Sequence, residues 1–413
     1  MTARPLRGPR MPVASLLLLA AATVGLIALT VQLVLVLRHR RERFRPRSEA
    51  EPRPGISILK PLCGVDDDLE ANLEQFASLD YPSYEVVLGV KDMRDPAYAV
   101  ARAAVARWPQ VMRLVLQDGE PGLNPKVNQL VTLAAEARHD LWVISDSNVR
   151  VAPGYLDEIA EGFSDPAVGC VTHPIAGLGE RTLGSLLDNL HLASSAAAGV
   201  IAAKRLADKD IVVGKSMALR RQDVEALGGF FSVKDVLAED FVIGQWVTQR
   251  LGKQVQVART PVFNVSLKKR VSDFFHRYVR WSVIHHTSVG TGTYLAQGLL
   301  NPVPLALLGA LLEPGAPAFA AGAVGALTKA AIDVTVFRLL RPAPVSWHAL
   351  PAVLLKDALL FVAWCNGLFS RTVDWRGTRL RVLAGTRLVP VEAPAPLELA
   401  PNEPAASKGL VAG

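Results

Sequence analysis

The sequence predicts an α/β domain with a largely parallel sheet, held between one N-terminal spanning helix and an apolar C-terminal region. Three observations predict it: an uncharged apolar run from Val13 to Leu37, short β-branched runs alternating with helical stretches between Pro54 and about Ser266, and a second apolar region that starts near Leu295. Of 413 residues 50% are hydrophobic and 20% charged, too apolar for disorder or for an ordinary soluble enzyme. At roughly 150 residues per domain, two or three units fit.

Lys and Arg number 45 against 38 Asp and Glu, a net charge of +7. An excess of that size suits an anionic membrane surface and nucleic acid alike. The Arg residues decide, because they crowd beside the apolar runs: a bilayer is the expected partner and nucleic acid is not. Cys63, Cys170 and Cys365 stand alone, with no CxxC and no His at ligand spacing. That argues against a zinc site and a disulfide framework, and they read as inert packing thiols.

Along the chain, Val13 to Leu37 is long enough, at about 1.5 Å per helical residue, to cross a hydrocarbon core of about 30 Å, and longer than the apolar core of a signal peptide. Arg38, Arg40, Arg41, Arg43, Arg45, Arg47 and Arg53 follow it, whereas Arg4, Arg7 and Arg10 precede it. The positive-inside rule therefore places the following domain in the cytoplasm.

In that domain strands are expected at Ile56 to Leu59, Glu85 to Val90, Val111 to Leu116, Leu141 to Ser145, Val168 to Thr172, Ile211 to Leu219 and Val255 to Ala258. Helices are expected at about Leu69 to Ser78, Tyr98 to Trp108, Lys126 to Ala137, Tyr155 to Phe163, Leu183 to Lys204 and Phe241 to Leu251. Neither GxGxxG nor GxxxxGK(S/T) occurs, so no dinucleotide fold or P-loop is signalled.

Ligands of open α/β sheets bind beyond the carboxyl ends of the strands. Two strands end in chemistry: VVLGVKD at Asp92, and LWVISDSN at Asp146 with Asn148 two residues on. Glu239-Asp240 is a third acidic site, although carboxylates are also favoured in a helix first turn. Past the last strand, RVSDFFHRYVRWSVIHH has the spacing of an amphipathic helix, with Arg277, Arg280, Trp281 and Ile284 on one face. Such a helix can rest on lipid and present Arg to a phosphate at once.

The apolar C-terminal region divides into candidate spans at about Leu295 to Leu312, Ala316 to Phe337 and Trp347 to Phe369, separated by Glu313-Pro-Gly and by Arg338 to Pro344. Lys329 and Asp333 lie one helical turn apart and can neutralise each other; Lys356 and Asp357 are adjacent. Three full crossings would strand Arg371, Arg376, Arg379, Arg381 and Arg387 on the far side, against the positive-inside rule. One segment is then re-entrant or interfacial, and Asn301-Pro-Val-Pro is the place to expect a break. The Ala/Pro/Glu-rich tail after Val391 reads as disordered.

The series ILKPL (Ile58 to Leu62), KD (Asp92), NPKVNQL (Asn124 to Leu130), SDSNVRV (Ser145 to Val151), AED (Ala238 to Asp240), RYVRW (Arg277 to Trp281) and DWRGTRLRV (Asp374 to Val382) resembles the ceramide glucosyltransferase family, family 21 of the glycosyltransferases. The resemblance runs in order over nearly the whole chain. It implies a GT-A-type domain, a UDP-sugar co-substrate, Mg2+ or Mn2+, and inverting transfer to the primary hydroxyl of a membrane lipid, ceramide. It also implies a multi-pass protein of a bacterial inner membrane or its equivalent. The corresponding units are 1–37, the first span; 38–270, the GT-A domain; 271–290, the interfacial helix; 291–370, the C-terminal membrane region; and 371–413, the Arg-rich segment and tail.

Carried over residue by residue, the resemblance gives Asp92 the uridine and ribose, with Lys60 and Pro61 among the donor-binding residues and the loop after them beside the base. It gives Asp146 and Asn148 the metal, Asp240 the role of general base, and Arg277, Arg280 and Trp281 the (Q/R)xxRW motif at the diphosphate. Lys126 falls near the donor. The second acidic position of the wider DxD pattern is Asn148 here, an oxygen ligand without charge. No His matches the family's donor-site His.

A lipid hydroxyl is a poor nucleophile at neutral pH, so a carboxylate that takes its proton should contribute about 10²- to 10⁴-fold. One base and one in-line attack suffice, unlike the paired carboxylates of retaining glycosidases. The nearest alternative keeps this chemistry and changes the acceptor to a hopanoid or other membrane lipid, with N-acetylglucosamine or glucuronate as the sugar. A transporter or scaffold that only binds nucleotide is the alternative from another class.

Overall fold

The computed structural model describes residues 13–42, 53–312, 315–375 and 378–391. Arg4, Arg7, Arg10, Arg43, Arg45, Arg47, Arg376, the Glu313-Pro314 connection and the tail beyond Val391 lie outside the described residues.

Ten strands build the central domain: β1 (Ile56–Pro61), β2 (Tyr84–Val90), β3 (Met112–Leu116), β4 (Leu141–Ser145), β5 (Val149–Arg150), β6 (Val168–Thr172), β7 (Ile175–Leu178), β8 (Ser216–Arg220), β9 (Gln254–Val257) and β10 (Val262–Val265). Seven form one sheet in the order β3-β2-β1-β4-β8-β6-β9, with β8 antiparallel to both neighbours and the remaining pairs parallel. The sheet is buried on both faces, which explains why its strands read as continuous apolar runs. Alternate residues serve the two sides: Ile56, Ile58, Val86 and Leu88 pack with Phe76, Ala101 and Ile159, while Leu59, Val87 and Ile144 pack with Val127, Leu130 and Val247. A small second sheet, β5-β10-β7, closes the domain beside β4.

Sequence and structure part in several places. The expected strand Ile211 to Leu219 is a strand only from Ser216, because residues 211–215 leave the sheet and carry Gly214 and Lys215 across its end. The expected helix Leu183 to Lys204 is interrupted by a π-helical turn at Leu192–Ala197. Of the three thiols only Cys170 is buried; Cys63 is exposed and does not pack.

Four helices among the described residues are long and apolar enough to cross a membrane: Val13–Arg41, Leu183–Ala207, Ala316–Leu339 and Ala349–Phe369. The second packs as an interior helix, since 72% of its most apolar stretch is buried within the protein, against 22% for Val13–Arg41. With 29 residues the first helix is about 44 Å long and ends in Arg38, Arg40 and Arg41.

The break expected at Asn301 is present: Thr291–Leu300 and Pro302–Leu312 meet at 78°. This bent pair lies against the first helix, with Ser15 Oγ donating to Gly309 O at 2.7 Å. Gly25 faces the Leu299 carbonyl so closely that a Cβ there would stand 2.0 Å from its oxygen.

The C-terminal Arg-rich segment folds as a three-stranded sheet, β11 (Thr372–Trp375), β12 (Thr378–Val382) and β13 (Leu388–Pro390). It docks on the α/β domain, where Leu237 N donates to Thr386 O at 2.9 Å and Leu388 N to Asp235 O at 2.7 Å. The Arg residues at 379, 381 and 387 therefore belong to a segment packed on that domain. The Lys329 and Asp333 pairing also holds, at 2.6 Å, and it extends to Lys356 and Asp357 on the neighbouring helix.

Candidate active site

The NPK sequence builds one wall. Asn124 caps the Pro125–Glu136 helix by accepting from Lys126 N and Val127 N, Pro125 occupies the first turn where no N–H is needed, and Lys126 projects from that turn. Its Nζ lies 3.0 Å from Asp146 Oδ1, 3.0 Å from Glu239 Oε1 and 3.3 Å from Gly214 O. Burial alone would depress the Lys126 ammonium, but Asp146, Glu239 and Asp240 outweigh it and hold it well above the usual lysine range. One cation thus joins a β4-end carboxylate to an acidic pair some ninety residues on.

Asp146 follows β4 directly. Its Oδ2 lies 2.9 Å from Lys215 Nζ, which also donates to Asn148 Oδ1 at 2.7 Å. Burial would raise the Asp146 carboxyl, but Lys126 and Lys215 prevail and keep it ionised, well below the usual carboxylate range. Lys60 sits behind this strand end rather than in the cleft: wholly buried over the Phe76 ring, it donates to Ser145 Oγ at 3.1 Å and Asp146 O at 2.7 Å. Burial pulls it down to about 7. Pro61 is buried beside it.

Glu239 and Asp240 open the Glu239–Gln249 helix two residues before the sequence expectation. Glu239 is buried and accepts from Asn124 Nδ2 at 3.2 Å. Asp240 Oδ2 accepts from Gly214 N, and Oδ1 from Phe241 N at 2.8 Å. Burial first, and the Glu239 carboxylate second, raise the Asp240 carboxyl above the usual aspartate range. Gly214 leaves room for both groups, because a Cβ there would meet Asp240 Oδ2 at 2.7 Å and Lys126 Nζ at 2.9 Å and displace them.

The Val271–Val289 helix supplies the opposite wall. Arg277, Arg280 and Trp281 face an open cleft of about 520 Å³ together with Asp146, Asn148, Lys215 and Lys269. Four cations and few carboxylates line it, which suits a polyanion. Behind them Asp188, wholly buried, accepts from Arg277 Nη1 at 3.0 Å and Tyr278 Oη at 2.8 Å and pairs with Lys269. Asp188 outweighs burial at Arg277 and keeps its guanidinium charged, whereas burial and Arg277 lower Arg280.

Asp146, Asn148, Arg277, Arg280 and Trp281 thus line one cleft, and Lys126 and Asp240 adjoin it through Asp146 and Gly214, while Asp92 does not join the cluster. It closes the end of β2, two strands and so roughly 10 Å from β4, with its Oδ2 held by Arg94 Nη2 at 3.0 Å. Sequence reasoning missed Lys215, Gly214, Asp188 and Lys269.

Asp146 and Asn148 present oxygens, the donor type hard cations take, and both already converge on one cation, the Lys215 ammonium. Among the described residues no three His, Cys, Asp or Glu groups cluster so as to hold a metal ion. A hard cation at these two oxygens would need its remaining ligands from outside this pair.

The profile described as glycosyl transferase family 21 matches residues 17–388. Ceramide glucosyltransferase 1 of Caenorhabditis elegans is 29% identical over 244 residues, 58% of this chain and 52% of its own. The ceramide glucosyltransferase of Komagataella phaffii is 28% identical over 193 residues, 41% of this chain and 38% of its own. The chain spans about half the length of these curated relatives or less. Among solved structures, the mannosyltransferase PcManGT from Pyrobaculum calidifontis, in complex with GDP-Man and Mn2+, superposes with a TM-score of 0.53 at 20% identity, covering 85% of this chain and 99% of that one. That likeness is one of fold, the GT-A arrangement anticipated from the sequence.

Proposed function

The chain belongs to glycosyl transferase family 21, and from that membership we propose that it is an inverting membrane enzyme that moves glucose from UDP-glucose to the primary hydroxyl of ceramide. The observation that supports this is the Lys126 bridge from Glu239, the neighbour of Asp240, to Asp146, which lines the cleft together with Arg277 and Arg280. The names of the matched relatives support ceramide as acceptor.

Asp240 is the general base. Raised by burial and by Glu239, it is ionised near neutral pH yet basic enough to take the proton of a lipid hydroxyl as that oxygen attacks the anomeric carbon. The C1–O bond to UDP breaks as the new bond forms, and the proton passes to the Asp240 carboxylate. Negative charge then develops on the departing diphosphate, where Arg277, Arg280 and Lys269 provide fixed positive charge. Asp146 and Asn148 would hold Mg2+ or Mn2+, which supplies Lewis-acid stabilisation of the same diphosphate. Asp92, at the end of β2 two strands away, holds the uridine side of the donor.

The catalytic domain faces the cytoplasm, and its cleft is served from the bilayer through the amphipathic Val271–Val289 helix, with Trp281 at the mouth. Mass spectrometry of lipids from a ceramide-making host, with and without the protein, tests the proposal. A new hexosylceramide is expected. Purified protein that labels a hopanoid from a radiolabelled UDP-sugar and leaves ceramide unlabelled defeats it.

A further inference from the structure

Lys215 stands where a metal ion would be expected. Its Nζ lies 2.9 Å from Asp146 Oδ2 and 2.7 Å from Asn148 Oδ1, the oxygen pair available to a hard cation. The other Asp146 oxygen is taken by Lys126 at 3.0 Å. Both oxygens of the carboxylate are therefore neutralised by ammonium groups before any ligand arrives.

The two lysines are not equivalent. Lys126 is tied down on several sides, by Glu239 at 3.0 Å and Gly214 O at 3.3 Å as well as Asp146. The partners of Lys215 Nζ are Asp146 and Asn148, and its flexible four-carbon stem comes from the loop before β8 that lines the open cleft. A divalent ion at this pair would meet the Lys215 charge at close range, and among the described residues no group of three His, Cys, Asp or Glu side chains is there to compensate. A nucleoside diphosphate changes that balance: it brings oxygen ligands for the metal and a second anionic site onto which Lys215 can turn within the same cleft.

We infer that Lys215 is a resident counter-ion that keeps divalent metal off Asp146 and Asn148 until a nucleoside diphosphate arrives, so that metal and donor enter together. This rests on the metal reading of Asp146 and Asn148 proposed above. By linkage, metal and nucleotide must then raise each other's affinity by the same factor, and much of that factor resides in one side chain.

Electron paramagnetic resonance of Mn2+ titrated into the full-length protein in detergent tests it without any turnover. Without UDP, Lys215→Met should bind Mn2+ about tenfold or more tightly than wild type, within the usual span of coupling factors. Lys215→Arg, which keeps the charge, should behave as wild type, and UDP binding by each variant, measured separately by equilibrium dialysis, shows that its site is folded. Equal Mn2+ binding by wild type and Lys215→Met without UDP overturns the inference. If UDP still draws Mn2+ to wild type in that case, the metal reading stands and the role of Lys215 alone falls; if it does not, both fall.

Discussion

Asp188 holds Arg277 from behind: a carboxylate wholly buried in the Leu183–His191 helix accepts from the Arg277 guanidinium at 3.0 Å, and the same group pairs with Lys269 and Tyr278. A single charge inside an apolar helix is costly unless paired, and here two cations pair it and are thereby aimed at the cleft.

Asp188→Asn keeps the size and removes the charge. Arg277 and Lys269 lose their counter-ion and their fixed positions, so the donor KM should rise roughly 10- to 100-fold, matching about 1.5–3 kcal/mol for a hydrogen bond to a charged group. Steady-state kinetics with varied UDP-sugar check it, and an unchanged KM would show that Asp188 does not position the two cations.

The pH profile should report Asp240. Burial and Glu239 push it up to about 6, and a base must be ionised to act, so kcat/KM should fall as pH drops below about 6. The stability effect has the opposite sense. A raised carboxyl favours the folded state where it is protonated; that contribution is complete below the ordinary value of 3.8 and is lost as pH rises through about 6. Asp240→Asn should therefore melt higher than wild type at neutral pH and lose that advantage in acid.

Gly214→Ala separates stability from activity. The added methyl would meet the far ends of Asp240 and Lys126, at 2.7 and 2.9 Å, rather than backbone. Side-chain ends can move, so the melting temperature should change little. The groups displaced are the base and the bridge, and kcat should fall by about 10²-fold or more, the lower range for general-base catalysis.

The buried quartet between the Ala316–Leu339 and Ala349–Phe369 helices is predicted to hold those helices together. Lys356 lies 2.8 Å from both Asp333 and Asp357, and Lys329 lies 2.6 Å from Asp333. Asp333→Asn leaves two buried ammonium groups under-compensated and should cost about 3–5 kcal/mol. Replacing Lys356 by Met in the same protein should restore part of that loss, measured by unfolding in detergent.

What was legible in the sequence was local. β1, β2 and β4 announced themselves because strands buried on both faces are continuous apolar runs, and Asp92 and Asp146 could be placed at their ends. The Arg277, Arg280, Trp281 face followed from helical spacing. Partnerships across long separations were not legible: Lys215 meets Asn148 across 67 residues and Arg277 meets Asp188 across 89. A signal existed for Asp188, a lone carboxylate in LGSLLDNLH that needed a partner. The apolar run Ile211 to Leu219 hid Lys215, since it scans as one strand although its first half is the loop that crosses to Asp146. The alternation in TRLRV marked β12, but its density of Arg drew attention to membrane topology instead of to a sheet.

The central claim is that Asp240 accepts the acceptor proton in a site that binds a UDP-sugar independently of that step. It is tested most directly by measuring UDP affinity and labelled ceramide formation side by side in wild type and Asp240→Asn. Unchanged UDP affinity with product formation lower by about 10²-fold or more is the expected result. Product formation at the wild-type rate in Asp240→Asn would contradict it.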